Sequence, residues 1–174
     1  MSKLYIMISK MASLVLAIVL FYCSGCDQKS CQDVVCGVNQ QCSRGQCFCV
    51  DGYEGTDCQT FSNQKYIGNY QVNENCFGSS SNFSFYNCSI NSDPFYANRI
   101  NINNLFGLGA NATALIFTDQ SNQGNYIEIP NQSQGALLFS GSGTFDPLLN
   151  QLTLNLNYTF NGGSYQCTHT FYKQ

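Results

Sequence analysis

The sequence predicts an all-β protein in two unequal parts, a small cysteine-stapled module followed by an antiparallel meander. Three observations carry this. Six of the eleven cysteines crowd into residues 31–58. From Tyr66 onward, short runs of alternating apolar and polar residues recur with turn residues between them. No gap between these runs is long enough for the helical crossover that parallel strands need.

Composition narrows the function classes. Charged residues make up 10% of the 174-residue chain and aromatic residues 14%, with no Trp. The remaining polarity is Asn, Gln, Ser and Thr, which suit turns and wet strand faces better than exposed helices. Seven Lys and Arg against ten Asp and Glu leave the chain acidic. Such a balance is unsuited to neutralising phosphates, so nucleic acid is not an expected partner. Eleven cysteines in so short a chain point to an oxidising compartment.

An export signal agrees with this. Lys3 and Lys10 precede the apolar run Met11–Tyr22, which is too short to span a bilayer and reads as a secretory leader. The run ends in Cys23-Ser24-Gly25-Cys26. This resembles a bacterial lipobox of the relaxed kind found in Bacteroidetes, with Cys23 where Leu is usual. The resemblance implies a signal peptide over residues 1–25 and acyl chains of the palmitate type on Cys26. Two or more such chains hold a protein stably, each buried methylene contributing roughly 0.8 kcal/mol. Residues 26–30 would then be a tether at the membrane. The alternative is ordinary cleavage, a secreted product and no lipid on Cys26.

Residues 31–58 read CQDVVCGVNQQCSRGQCFCVDGYEGTDC. A segment this short cannot bury an adequate core, so cross-links must replace one. Spacing alone leaves fifteen pairings of six cysteines open. The Cys47-Phe48-Cys49 triplet, followed by Gly52-Tyr53 and Gly55 before Cys58, resembles an EGF-like domain over the whole module. That resemblance implies Cys31–Cys42, Cys36–Cys47 and Cys49–Cys58. Zinc is disfavoured, because the context is exported and the module holds no histidine. Calcium-binding members of that family carry acidic residues and an Asn or Asp where this chain has Lys29, Ser30 and Ser43-Arg44, so no calcium is expected. A protease-resistant spacer is the favoured role for the module, ahead of ligand contact.

Residues 59–64 read as a polar linker without structure of its own. The rest, 65–174, is expected to form eight strands: Tyr66–Cys76, Asn82–Ile90, Arg99–Leu105, Ala112–Thr118, Asn125–Ile129, Ala136–Phe145, Leu152–Phe160 and Ser164–Tyr172. The clearest places Leu152, Leu154, Leu156 and Tyr158 on one face and Thr153, Asn155, Asn157 and Thr159 on the other. Closing the meander removes exposed edges, so an eight-stranded up-and-down barrel leads and a β-sandwich is the alternative. Segments such as YIGNYQVNENC, RININNL and YQCTHTFY resemble the lipocalin-like, calycin-type barrels of small Bacteroidetes lipoproteins, in which an EGF-like module can precede the barrel.

In a closed meander the first and last strands are neighbours, which brings Cys76 beside Cys167. A Cys76–Cys167 bridge is expected, with Cys76–Cys88 as its rival and Cys88 left as a buried thiol. His169, the single histidine, would face the interior near Cys167. A Cys–His nucleophile pair is disfavoured, because the bridge would consume the thiol. The carboxylates Glu74, Asp93, Asp119, Glu128 and Asp146 are scattered, so no catalytic residues, no metal and no cofactor other than the lipid on Cys26 are expected. Asn82, Asn87, Asn111, Asn131 and Asn157 open N-x-S/T triplets, which serve as glycosylation acceptors in a eukaryotic secretory pathway and otherwise arise by chance in an Asn-rich chain.

The expected function is a membrane-anchored, non-enzymatic surface lipoprotein, in the outer membrane or on the cell surface of a Gram-negative bacterium. Its barrel would bind a small apolar ligand or envelope lipid. Phe83, Phe85, Leu115, Phe117, Phe139, Leu154 and Phe171 are the candidate lining. The alternative is a structural or adhesive module with a filled barrel, meeting a surface protein through its loops.

Overall fold

The computed structural model describes residues 31–77 and 84–174. The expected leader, the lipidation candidate Cys26 and the lining candidate Phe83 lie outside the described residues.

The amino-terminal module is built on a hairpin of β1 (Gln40–Ser43) and β2 (Gln46–Cys49), with Cys42 opposite Cys47. Arg44 and Gly45 turn it with φ of 52° and 74°, the positive pair that matches the twist of a two-residue hairpin. A second small ladder joins β3 (Tyr53–Glu54) to β4 (Thr60–Phe61). Disulfides link Cys31 to Cys42, Cys36 to Cys47 and Cys49 to Cys58, the pairing the EGF-like resemblance implies. They are needed, because Val35 and Val38 stay largely exposed and only the Cys49–Cys58 end is buried. By loop-closure entropy each bridge contributes about 3 kcal/mol.

Residues 59–64 are not the unstructured linker that their polarity suggested. Thr60 and Phe61 form β4, Ser62 and Asn63 are buried, and Gln64–Tyr66 form a 3-10 helix. Tyr66, expected to open the first barrel strand, instead plugs the barrel's end. Its hydroxyl donates to the Gly124 carbonyl at 2.6 Å and its ring meets Phe145 edge-on.

Eight strands then run in sequence: β5 (Gly68–Phe77), β6 (Ser84–Ser92), β7 (Arg99–Leu105), β8 (Ala110–Phe117), β9 (Tyr126–Gln134), β10 (Leu137–Asp146), β11 (Gln151–Phe160) and β12 (Gly163–Lys173). Every neighbour is antiparallel, and β12 pairs with β5 to close the barrel. The sandwich is therefore excluded. β9 runs five residues beyond its expected end at Ile129, through Pro130. Past that proline, which has no N–H to give, β9 peels away from β8 and side chains take over the pairing. Gln132 accepts from the Thr113 N–H and donates to its carbonyl, and Gln134 accepts from Asn111.

The lumen is packed. Leu152 and Leu154 on β11 and Phe171 on β12 face inward at 0% exposure, as do Ile100 and Ile102 on β7 and Ile127 on β9. Side chains this free of contact with water leave no chamber among themselves. Gly141 and Gly143 let β11 approach β10, since a Cβ on either would lie within 2.2 Å of a β11 carbonyl oxygen. At the end away from the module, Phe106 (φ 63°) leaves the β7–β8 turn and folds inward against Phe139 and Tyr158.

Of the expected lining, Phe139, Leu154 and Phe171 face the lumen, whereas Phe85, Leu115 and Phe117 do not. Phe85 is 63% exposed on the outer wall, because β6 turns Tyr86, Cys88 and Ile90 inward. On β8 the inward positions are Ala110, Ala112, Ala114 and Ile116, which puts Leu115 and Phe117 outside. The inward face of β8 is thus mostly alanine.

Candidate functional site

The chemically distinctive groups lie at the seam where the barrel closes. Strand alternation turns Glu74 and Cys76 of β5, and Cys167 and His169 of β12, toward the same side. The register sets Cys76 opposite Cys167 and Glu74 opposite His169, a two-by-two grid. Cys76 and Cys167 form the fourth disulfide, and Cys88 stays a buried free thiol. Both match expectation.

Glu74 is 6% exposed and His169 0%. Burial raises the Glu74 carboxyl above its ordinary range, although the Tyr158 hydroxyl donates to Oε1 at 3.0 Å and pulls the other way. Burial lowers His169 to about 4. At neutral pH the ring is uncharged. Its Nδ1 lies 3.0 Å from the Tyr86 hydroxyl, while Nε2 is buried with no hydrogen-bond partner among the described residues. Phe106 packs on the ring edge-on at 5.4 Å between centroids and keeps water away. Oε1 of Glu74 also lies 3.1 Å from Sγ of Cys76. One oxygen of Glu74, Sγ of Cys167 and a ring nitrogen of His169 lie within 4.8 Å of one another.

The sequence placed His169 inside near Cys167, and so it is. It missed Glu74, Tyr86, Tyr158 and Phe106. A signal for Glu74 was present: once Cys76 is paired with Cys167, antiparallel register puts the residue two before Cys76 opposite the residue two after Cys167. Phe106 had no such signal, because it enters from a turn.

The outside differs in character. Asn75, Asn155, Asn157, Gln166 and Thr168 border a shallow cavity of about 300 Å³ on the β5–β12–β11 wall, beside Phe77, which is 90% exposed. At the module-bearing end Phe95, in the β6–β7 loop, and Leu148, in the β10–β11 loop, are 86% and 93% exposed. Asn87, Asn111, Asn131 and Asn157 of the N-x-S/T triplets are exposed, and Asn82 lies outside the described residues.

The module is fastened to the barrel. Asp51 Oδ1 accepts the Thr118 N–H at 2.9 Å, the Thr118 hydroxyl donates to the Tyr53 carbonyl at 3.0 Å, and Glu54 accepts from Gly124 N–H and from Lys65 Nζ. Comparison with known proteins finds no family model that matches this chain and no curated protein that matches it.

Proposed function

We propose that the chain is an exported, lipid-anchored, non-enzymatic surface protein that works through its outside, as a structural or adhesive module. The observation carrying this reading is the packed lumen set against an outer surface that exposes Phe77, Phe85, Phe95 and Leu148. A carrier of apolar molecules needs a chamber, and side chains at 0–5% exposure occupy that space. An enzyme needs its acid and base within reach of substrate, and Glu74 and His169 are shut in. Apolar side chains held in water at loop tips and on a strand face favour contact with a partner surface.

The disulfide order, 1–3, 2–4 and 5–6 within the module, supports the EGF-like reading. The module, hydrogen-bonded to the β8–β9 loop, would present the barrel from the membrane as one body. The lipid belongs on Cys26, the bilayer is the first partner, and a protein on the same or a facing surface is the second. The cell surface or outer membrane of a Gram-negative bacterium fits the lipobox resemblance.

Native mass spectrometry of protein extracted from its own host tests the reading. A diacylglyceryl thioether on Cys26 and no further apolar adduct are expected, and Cys26→Ser is expected to release the protein from membranes. A stoichiometric apolar ligand in the barrel would overturn the filled-module reading. An unmodified Cys26 would overturn the anchor.

A further inference from the structure

We propose that the seam grid of Glu74, Cys76, Cys167 and His169 is a binding site for a thiophilic divalent cation of the zinc class, masked while the two cysteines are joined and opened when they are reduced. The site does not depend on the lipid anchor or on what the outer wall contacts.

Geometry carries it. Two ligand types alternate across two paired strands, with Cys76 opposite Cys167 and Glu74 opposite His169. Three of the donor atoms lie within 4.8 Å of one another, and the fourth, Sγ of Cys76, is bonded to one and 3.1 Å from another. A tetrahedral zinc with bonds of 2.0–2.3 Å holds its donors about 3.3–3.8 Å apart. Once the disulfide is open, side-chain adjustments of about an ångström bring the three clustered donors to that spacing. Two thiolates, one imidazole and one carboxylate are the donor types such a cation takes.

The surroundings fit as well. Tyr158 donates to the Glu74 carboxylate and Tyr86 faces Nδ1 of His169, the orienting contacts that metal-bound carboxylates and imidazoles need. The Tyr86 hydroxyl can donate or accept and so can hold either ring tautomer, which leaves Nε2, the buried atom without a partner, for the cation. The three disulfides of the module have no histidine beside them, since the chain has only one.

The chemistry balances with a dithiol, or with a phosphine that takes the oxygen of a water molecule to become its oxide while that water's two protons pass to the thiols. A dithiol breaks the Cys76–Cys167 bond by exchange, giving two protein thiols as its own sulfurs join, with two electrons and two protons passing to the protein. The cation then displaces both thiol protons to solvent and takes the Glu74 carboxylate as a further ligand. His169 is already neutral and gives up none.

Cobalt(II) titration of the full chain, followed by thiolate charge-transfer and tetrahedral ligand-field absorption, tests the proposal. Samples are oxidised or phosphine-reduced, and their strand content is followed by circular dichroism. Reduced wild type is expected to take up one more equivalent than reduced Cys76→Ser/Cys167→Ser, whose module thiols provide the background. Oxidised protein is expected to take up none. His169→Ala in reduced protein is expected to weaken that extra site by roughly tenfold or more. If reduced wild type keeps its barrel yet binds no more cobalt than the double variant, the proposal fails. It fails equally if reduction melts the barrel, because the ligands are then no longer held together. Uptake unchanged by His169→Ala would also overturn the grid.

Discussion

The backbone N–H of Cys49 donates to Oδ1 of Asn122 at 2.8 Å, a contact that ties the module's third disulfide to a loop 73 residues further along. Gly55 N–H adds a bond to the Asn122 carbonyl at 3.0 Å, so Asn122 holds both the end of β2 and the residue that follows β3. Its φ of 58° is one Asn tolerates better than most residues. Asn122→Ala is expected to remove the side-chain bond and cost about 1–2 kcal/mol. The measurement is limited proteolysis of the 59–64 segment. Wild type should resist cleavage there and the variant should be nicked, and equal resistance would mean that the module is held without this clamp.

Gly52 makes the same interface from the other side. A Cβ there would fall 2.7 Å from the Asn98 nitrogen and 2.8 Å from the Ala97 carbonyl carbon, and its φ of 94° resists a side chain in any case. Gly52→Ala is expected to lift the module off the β6–β7 loop while its disulfides still form. Hydrogen exchange should rise at Asn98 and Thr118 with the far half of the barrel unchanged. Exchange rising everywhere would mean instead that the variant fails as a whole.

In the barrel wall, Gly143 of β10 faces β11 with no room for a side chain. A Cβ would sit 2.0 Å from the Thr153 carbonyl oxygen and 2.6 Å from Leu154. A backbone carbonyl cannot swing aside like a side-chain tip, so relief requires the strands to part. Gly143→Ala is expected to destabilise by at least about 3 kcal/mol, read from urea unfolding. A loss below 1 kcal/mol would show that the wall can flex there.

Much of this architecture was legible. Arg99–Leu105 appears as a strand with the expected bounds, and β11 shows the expected faces. The barrel's closure followed from the need to remove exposed sheet edges, and closure in turn brought Cys76 beside Cys167. What failed was side-chain direction on β6 and β8, and the reason is physical. In Ala114-Leu115-Ile116-Phe117 both faces are apolar, so alternation carries no sign, and side-chain size alone points Leu115 and Phe117 the wrong way. Phe106 enters this lumen from a turn, and β8 turns mostly alanines inward. The Ser62-Asn63-Gln64 stretch failed for a related reason. Neutral polar residues read as solvated chain, but Ser62 lies in the tight space against Gly124, where only small groups fit.

Cys88 should behave as a core residue rather than a reactive thiol. It is 4% exposed, and burial pushes its pKa up to about 12, so thiolate is scarce at neutral pH. Alkylation of native protein is expected to leave Cys88 untouched, with complete labelling in denaturant, as mapped by peptide mass. Rapid labelling under native conditions would show that β6 opens locally.

His169 makes stability depend on acid. Its ring titrates near 4 in the folded chain against an ordinary value near 6.5, so between these limits the unfolded chain holds a proton that the folded chain lacks. Stability due to this residue is whole above pH 6.5 and drains away as pH falls toward 4, by about 3 kcal/mol in total. Glu74 opposite it acts with the other sign: its raised carboxyl keeps a proton that the unfolded chain releases, so its share declines as pH rises through the folded value. The other groups facing the ring are Tyr86, bonded to it, and Phe106, neither of which titrates in this range. Unfolding free energies of wild type and His169→Gln, measured from pH 7 to pH 4, isolate the histidine. Their difference is expected to shift against wild type by about 3 kcal/mol over that span. A difference that stays constant with pH would mean that water reaches the ring and that the seam is open.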